Sequence, residues 1–163
     1  MDTELLKLAE QLAHALKVAG LSLATAESCT GGGLAQVLTA IPGSSLWFER
    51  GFVSYSNLSK REMLGVKTGT LARHGAVSEA VARAMAEGAL AHSHADLAAI
   101  TGIAGPGGGT PDKPVGTVCF AWARRKQASR SITLHFPGDR AAVRRQSMAA
   151  AIEGLQGYLQ EAG

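Results

Sequence analysis

Leu5, Leu8, Leu12 and Leu16, joined by Ala9, Ala13 and Val18, recur three and four positions apart, and Gly20 stands where a left-handed cap would end such a helix. This spacing predicts a first helix over about residues 3 to 19. An apolar run from Leu21 to Ala26 predicts a strand, Gly32 to Ala40 a helix stopped by Ile41-Pro-Gly43, and Phe48 to Tyr55 a second strand. Asn57 is expected to cap a short helix carrying Lys60. Ser78 can cap a longer one over Glu79 to Ala91, whose Ala80, Val81, Ala84, Met85 and Leu90 are its apolar positions. Leu97 to Ala104 has the unbroken apolar character of a buried strand. Val115 to Ala123 and Arg130 to Phe136 lie close enough to pair as a hairpin, so the sheet is expected to be mixed. Asp139 can cap a last helix, Arg140 to Leu159, with Val143, Met148, Ile152, Leu155 and Leu159 on its apolar face. Helices interleaved with strands, without repeat or linker, predict a single α/β domain built as a three-layer α/β/α stack.

The chain has 163 residues, 46% of them hydrophobic, enough for one well-filled core and few for two. Its longest apolar runs fall well short of the ~20 residues that span a bilayer, and no cationic and apolar leader pattern opens it. Cys29 and Cys119 fall in an expected loop and an expected strand, which suits two free thiols in a reducing compartment. A cytoplasmic protein is the expectation. The net charge of +3 is uneven: residues 1 to 123 hold 9 Lys and Arg against 10 Asp and Glu, and residues 124 to 163 hold 7 against 3. Aromatics make up only 5% and do not interleave with the basic residues, so a small anionic ligand is a better match than nucleic acid.

The chemistry concentrates in Ala24-Thr-Ala-Glu-Ser-Cys-Thr-Gly-Gly-Gly33, which puts Ser28, Cys29 and Thr30 where a strand gives way to a helix. Backbone N–H groups of such a turn point outward and can hold a phosphate or an oxyanion. Three glycines at a helix start cost roughly 1 kcal/mol each relative to Ala, which favours a functional reason for them. Thr101-Gly-Ile-Ala-Gly-Pro-Gly-Gly-Gly-Thr110 is a second loop with little side-chain bulk, and the two together suggest one ligand cleft. Neither has the Lys of a P-loop or the following helix of a dinucleotide fingerprint. Ser28 is not in a Gly-x-Ser-x-Gly elbow, no His-Asp pair is suggested by spacing, and the five histidines form no ligand set. A serine without histidine can use a lysine whose pKa burial has depressed, and Lys60 is the candidate. Arg140 and Arg144 lie four apart on one face at the start of the last helix, where two cations repel each other and oppose the helix dipole. A bound anion would relieve both, though a solvated basic face is the plainer alternative.

These residues resemble the family named for the C-terminal domain of the competence/damage-inducible protein CinA. The segments that carry the resemblance are Thr25-Ala-Glu-Ser-Cys-Thr-Gly-Gly32, Pro42-Gly-Ser-Ser45, Trp47-Phe-Glu-Arg-Gly-Phe-Val-Ser-Tyr-Ser-Asn57, Gly75-Ala-Val-Ser78, Thr101-Gly-Ile-Ala-Gly-Pro106, Lys113-Pro-Val-Gly-Thr117 and Gly138-Asp-Arg140. The resemblance implies hydrolysis of the carboxamide of nicotinamide mononucleotide to nicotinate mononucleotide and ammonia. It also implies a Ser28/Lys60 dyad supported by Tyr55, with no metal or organic cofactor. Thr30, Gly31, Gly32, Thr101, Gly102 and Gly105 are then expected to line the oxyanion and substrate site, and Arg140 and Arg144 the phosphate. Longer members of the family carry a further N-terminal domain, and the expectation here is the deamidase module alone over residues 1–163. The expected partner is a small nucleotide, without nucleic acid or membrane, and a homo-oligomer is left open. Two competing readings are a non-catalytic module that senses a nucleotide or docks on a competence or repair partner, and an amidase using the Cys29 thiolate.

Overall fold

The sequences Leu-Ala-Thr-Ala-Glu and Leu-Ala-Ala-Ile-Thr keep even their polar residues, Thr25, Glu27 and Thr101, out of water because both strands are covered on both faces. They are β1 (Leu23–Glu27) and β3 (Leu97–Thr101), buried at every position in the computed structural model, which describes residues 2–102 and 113–162. The sheet has the order β2-β1-β3-β4-β5. β1 pairs in parallel with β2 (Phe48–Val53) and with β3, whereas β4 (Thr117–Arg124) is antiparallel to both β3 and β5 (Arg130–His135). The sheet is therefore mixed, as the hairpin spacing predicts.

Alternation along the strands feeds two cores. Leu23, Leu97, Ala99, Val118, Phe120 and Trp122 pack with α1 (Thr3–Ala19), α2 (Gly33–Thr39) and α6 (Arg140–Ala162). Ala26, Ala98, Ile100, Cys119 and Ala121 pack on the opposite side with α3 (Asn57–Leu64) and α5 (Glu79–Ala91), where α4 (Thr68–His74) adds Leu71. This is the expected three-layer α/β/α stack in a single domain. The sheet's own residues decide which helices reach the chemistry, since side chains on successive positions of β1 point to opposite layers.

The local signals act largely as expected. Asp2 accepts from the N–H groups of Glu4 and Leu5 to start α1, Gly20 ends it at φ 68°, and Asp139 accepts from the Ala142 N–H to start α6. Several boundaries differ. β1 starts at Leu23 rather than Leu21, α2 at Gly33 rather than Gly32, and β2 stops at Val53, after which the Ser54 N–H makes the last ladder bond, to the Glu27 carbonyl of β1. The cap of α3 is Ser56, whose hydroxyl accepts from the Ser59 N–H at 3.0 Å, so Asn57 is the first helical residue instead. α4 and a 3-10 turn at Ser44–Leu46 are additional elements. Of the expected strand Leu97 to Ala104, pairing ends at Thr101, and residues beyond Gly102 lie outside the described part.

Two close approaches set where the helices sit. A Cβ on Gly88 of α5 would overlap the Leu64 carbonyl of α3, and one on Gly154 of α6 would overlap the Trp122 indole. The Trp122 Nε1–H donates to the Ala151 carbonyl of α6 at 3.0 Å. Arg145 binds Asp2 and Glu4, tying α6 to the start of α1.

Candidate active site

Ser28, the residue after β1, continues the strand's alternation toward the α3 side and is only 3% exposed. Ser56 begins α3 directly after β2, and Lys60 sits one turn in, 1% exposed, with its Nζ 3.3 Å from the Ser28 Oγ. The same Nζ donates to the Tyr55 carbonyl at 2.9 Å. Burial strips water from the ammonium and holds the Lys60 amine below the ordinary lysine value. In its neutral form the amine keeps an N–H for the Tyr55 carbonyl and offers its lone pair to the Ser28 hydroxyl. Cys29, next in sequence, is pushed up to about 11 by burial, against the opposing pull of Arg144 and Arg140. At neutral pH it is a thiol rather than a thiolate.

On the other side of the sheet Glu27, 1% exposed, organises the loop. One carboxylate oxygen accepts from the Thr30 hydroxyl at 2.6 Å and the Leu34 N–H at 2.8 Å, and the other from the Ala35 N–H at 3.0 Å. The first-turn amides of α2 are thereby committed to an internal anion, which the helix dipole also favours. A substrate phosphate cannot use those two amides. The Thr30 hydroxyl also lies 2.6 Å from the Thr101 hydroxyl. A hydroxyl has a single proton, and that of Thr30 goes to Glu27, so Thr101 is the donor to Thr30. The chain of hydrogen bonds runs one way, Thr101 to Thr30 to Glu27.

The turn between Ser28 and α2 needs a left-handed backbone at Gly31 (φ 61°) and Gly32 (φ 98°), which accounts for two of its glycines. The Gly31 N–H donates to the Ser28 carbonyl, while no described residue accepts from the Thr30 or Gly32 N–H. Arg144 of α6 donates to the Thr30 carbonyl at 3.0 Å and would lie 3.0 Å from a Cβ on Gly31. Arg140, exposed one turn earlier, donates to the Tyr55 phenol oxygen at 2.8 Å. Gly102 has a packing reason of its own: a Cβ there would overlap Val118 and lie 2.7 Å from the Cys29 Sγ, and its carbonyl accepts from the Cys29 N–H at 3.0 Å.

Ser28, Thr30, Gly31, Gly32, Lys60, Thr101, Gly102, Arg140, Arg144 and the Tyr55 carbonyl thus gather at the ends of β1 and β3, while Gly105 lies outside the described residues. Tyr55 meets the pair through its main chain, its phenol being turned to Arg140. Glu27 is the residue that sequence reasoning passes over. The available signal was a carboxylate closing a mainly apolar strand, six residues before the start of a helix. Among the described residues no three His, Cys, Asp or Glu side chains come together as a metal-ligand set. Among the described residues, no helix is long and apolar enough to cross a membrane.

Residues 5–159 match the model of the CinA C-terminal domain. The nicotinamide-nucleotide amidohydrolase PncC of Escherichia coli K12 is 55% identical over 161 residues, 98% of each chain, and its namesake from Pseudomonas putida is 50% identical over 91% of this chain and 92% of its own. The crystal structure of the competence/damage inducible protein CihA from Agrobacterium tumefaciens superposes with a TM-score of 0.92 at 42% identity, covering 98% of both chains.

Proposed function

The chain belongs to the CinA C-terminal domain family, and on that premise we propose that it is an amidohydrolase whose single domain, residues 1–163, converts nicotinamide mononucleotide to nicotinate mononucleotide and ammonia. The relatives named for that activity, 50% and 55% identical over nearly the whole chain, support the substrate. The observation that carries the mechanism is the buried Lys60 amine 3.3 Å from the Ser28 hydroxyl.

Neutral Lys60 accepts the Ser28 proton as the Oγ forms a bond to the carboxamide carbon. The uncommitted Thr30 and Gly32 N–H groups are the donors available to the resulting oxyanion. Collapse breaks the C–N bond, and the proton held on Lys60 passes to the departing nitrogen, which leaves as ammonia. Water then adds to the ester carbon, giving its proton to Lys60, and the Ser28–carbonyl bond breaks as Lys60 returns that proton to the Oγ. Every proton is accounted for by one amine. The phosphate falls to Arg140, because the α2 amides are occupied by Glu27 and Arg144 is engaged with the loop. Thiol attack by Cys29 is disfavoured by burial, which keeps it protonated.

The test is to incubate the purified protein with nicotinamide mononucleotide and follow ammonia together with nicotinate mononucleotide. Both should appear in equal amounts, and Ser28→Ala should abolish them while Cys29→Ala keeps most of the rate. Full activity in Ser28→Ala would overturn the serine mechanism. No product from the parent protein would overturn the activity itself.

A further inference from the structure

Tyr55 occupies two places at once. Its carbonyl, 2.9 Å from the Lys60 Nζ, belongs to the reacting pair. Its phenol oxygen, on a residue 56% exposed, accepts from the exposed Arg140 at 2.8 Å. Lys60 makes its two hydrogen bonds to the Ser28 Oγ and the Tyr55 carbonyl, and none to the phenol. With Arg140 supplying the proton of the Arg–Tyr bond, the phenol O–H still has a proton to give, and no described residue accepts it. A guanidinium with further N–H groups and a free phenol O–H, 2.8 Å apart, are two donors that a single phosphate can bridge.

We infer that Tyr55 sets substrate specificity through its side chain and supports the chemistry only through its main chain: the phenol and Arg140 together read the phosphate, and the phenol takes no part in proton transfer between Ser28 and Lys60. This deepens the proposed function and rests on it for the identity of the substrate. The internal anion at α2 strengthens it, since the amides that would otherwise hold a phosphate are taken by Glu27.

Tyr55→Phe keeps the carbonyl and removes only the hydroxyl. Its effect is read as Kd by calorimetry in a Ser28→Ala background, which binds without turning over, and as kcat and KM in the active protein. Nicotinamide mononucleotide is compared with nicotinamide riboside, which lacks the phosphate. Expected is a rise of roughly threefold to tenfold in Kd and KM for the mononucleotide, with the loss confined to KM, the pH–rate profile unmoved and the preference over the riboside reduced. On an Arg140→Ala background the same change should add little. A kcat that falls alike on both substrates, or a shifted pH profile, would give the phenol a role in proton transfer and overturn the inference; so would an unchanged preference for the mononucleotide. A parent protein that binds the mononucleotide without releasing ammonia refutes the amidohydrolase alone and leaves the binding arms to judge Tyr55. One that binds neither ligand refutes both.

Discussion

A lysine amine held out of water carries opposite consequences for rate and for stability. Lys60 can accept the Ser28 proton only when neutral, so kcat should rise with pH through its lowered pKa and level off above it. Lys60→Ala should lose roughly 100-fold to 10,000-fold in rate. For stability, the unfolded chain holds the Lys60 proton up to about the ordinary lysine value of 10.5, while the folded one releases it earlier. Between those values the unfolded state binds the extra proton, so stability rises with pH there, and below the lowered value the cost of burying the charge is felt in full. Lys60→Met should therefore raise Tm at about pH 7 by more than at about pH 10; a pH-independent difference would contradict the burial argument. Ser28, Lys60 and the arginines stood out in the sequence as residue types at element ends. That the first two, 32 positions apart, lie 3.3 Å from each other comes from how α3 packs and could not be read from the chain.

That packing is an element-scale property, and Gly88 is its pivot. A Cβ there meets the Leu64 backbone carbonyl, which has no flexible end to swing away, so Gly88→Ala should displace α3 and Lys60 with it. Misplacement of about 1 Å can cost 100-fold. We expect a fall in kcat with little change in KM, alongside a lower Tm; unchanged kcat would show that α3 does not depend on this approach. The second element-scale device is the internal cap on α2. Glu27→Gln keeps the size but must turn an N–H toward a donor or lose an acceptor, costing about 1–3 kcal/mol, or roughly 2–10 °C in Tm, with a loss of rate as the Ser28 turn loosens. A thermal melt and an ammonia assay check both. Glu27 was illegible because its acceptors serve amides seven and eight residues ahead, where no local motif reports them. α4 was missed for another reason: Thr-Gly-Thr-Leu-Ala-Arg-His carries almost no apolar stripe, and Lys67 before it supplies no side-chain cap.

At the scale of the whole molecule, the three layers and the mixed sheet were legible because β1 and β3 are mainly apolar runs set between helical patterns while the last two strands are too close for a crossover. The basic bias of the last forty residues was legible too, but its division of labour was not. Arg145 is spent on Asp2 and Glu4, Arg144 on the Thr30 carbonyl, and Arg140 alone reaches an exposed phenol at the rim. The molecule thus separates an exposed cation, Arg140, from a buried amine, Lys60. Mobile ions see only the first. With a Debye length falling from about 8 Å at physiological ionic strength to about 3 Å at 1 M, added sodium chloride should raise KM for a phosphate-bearing substrate while kcat at saturation stays level. Titrating the enzyme with salt would then report on the two depths separately, as a seawater or a dilute cytosol would, letting ionic surroundings set how eagerly substrate is captured without touching how fast it is cleaved.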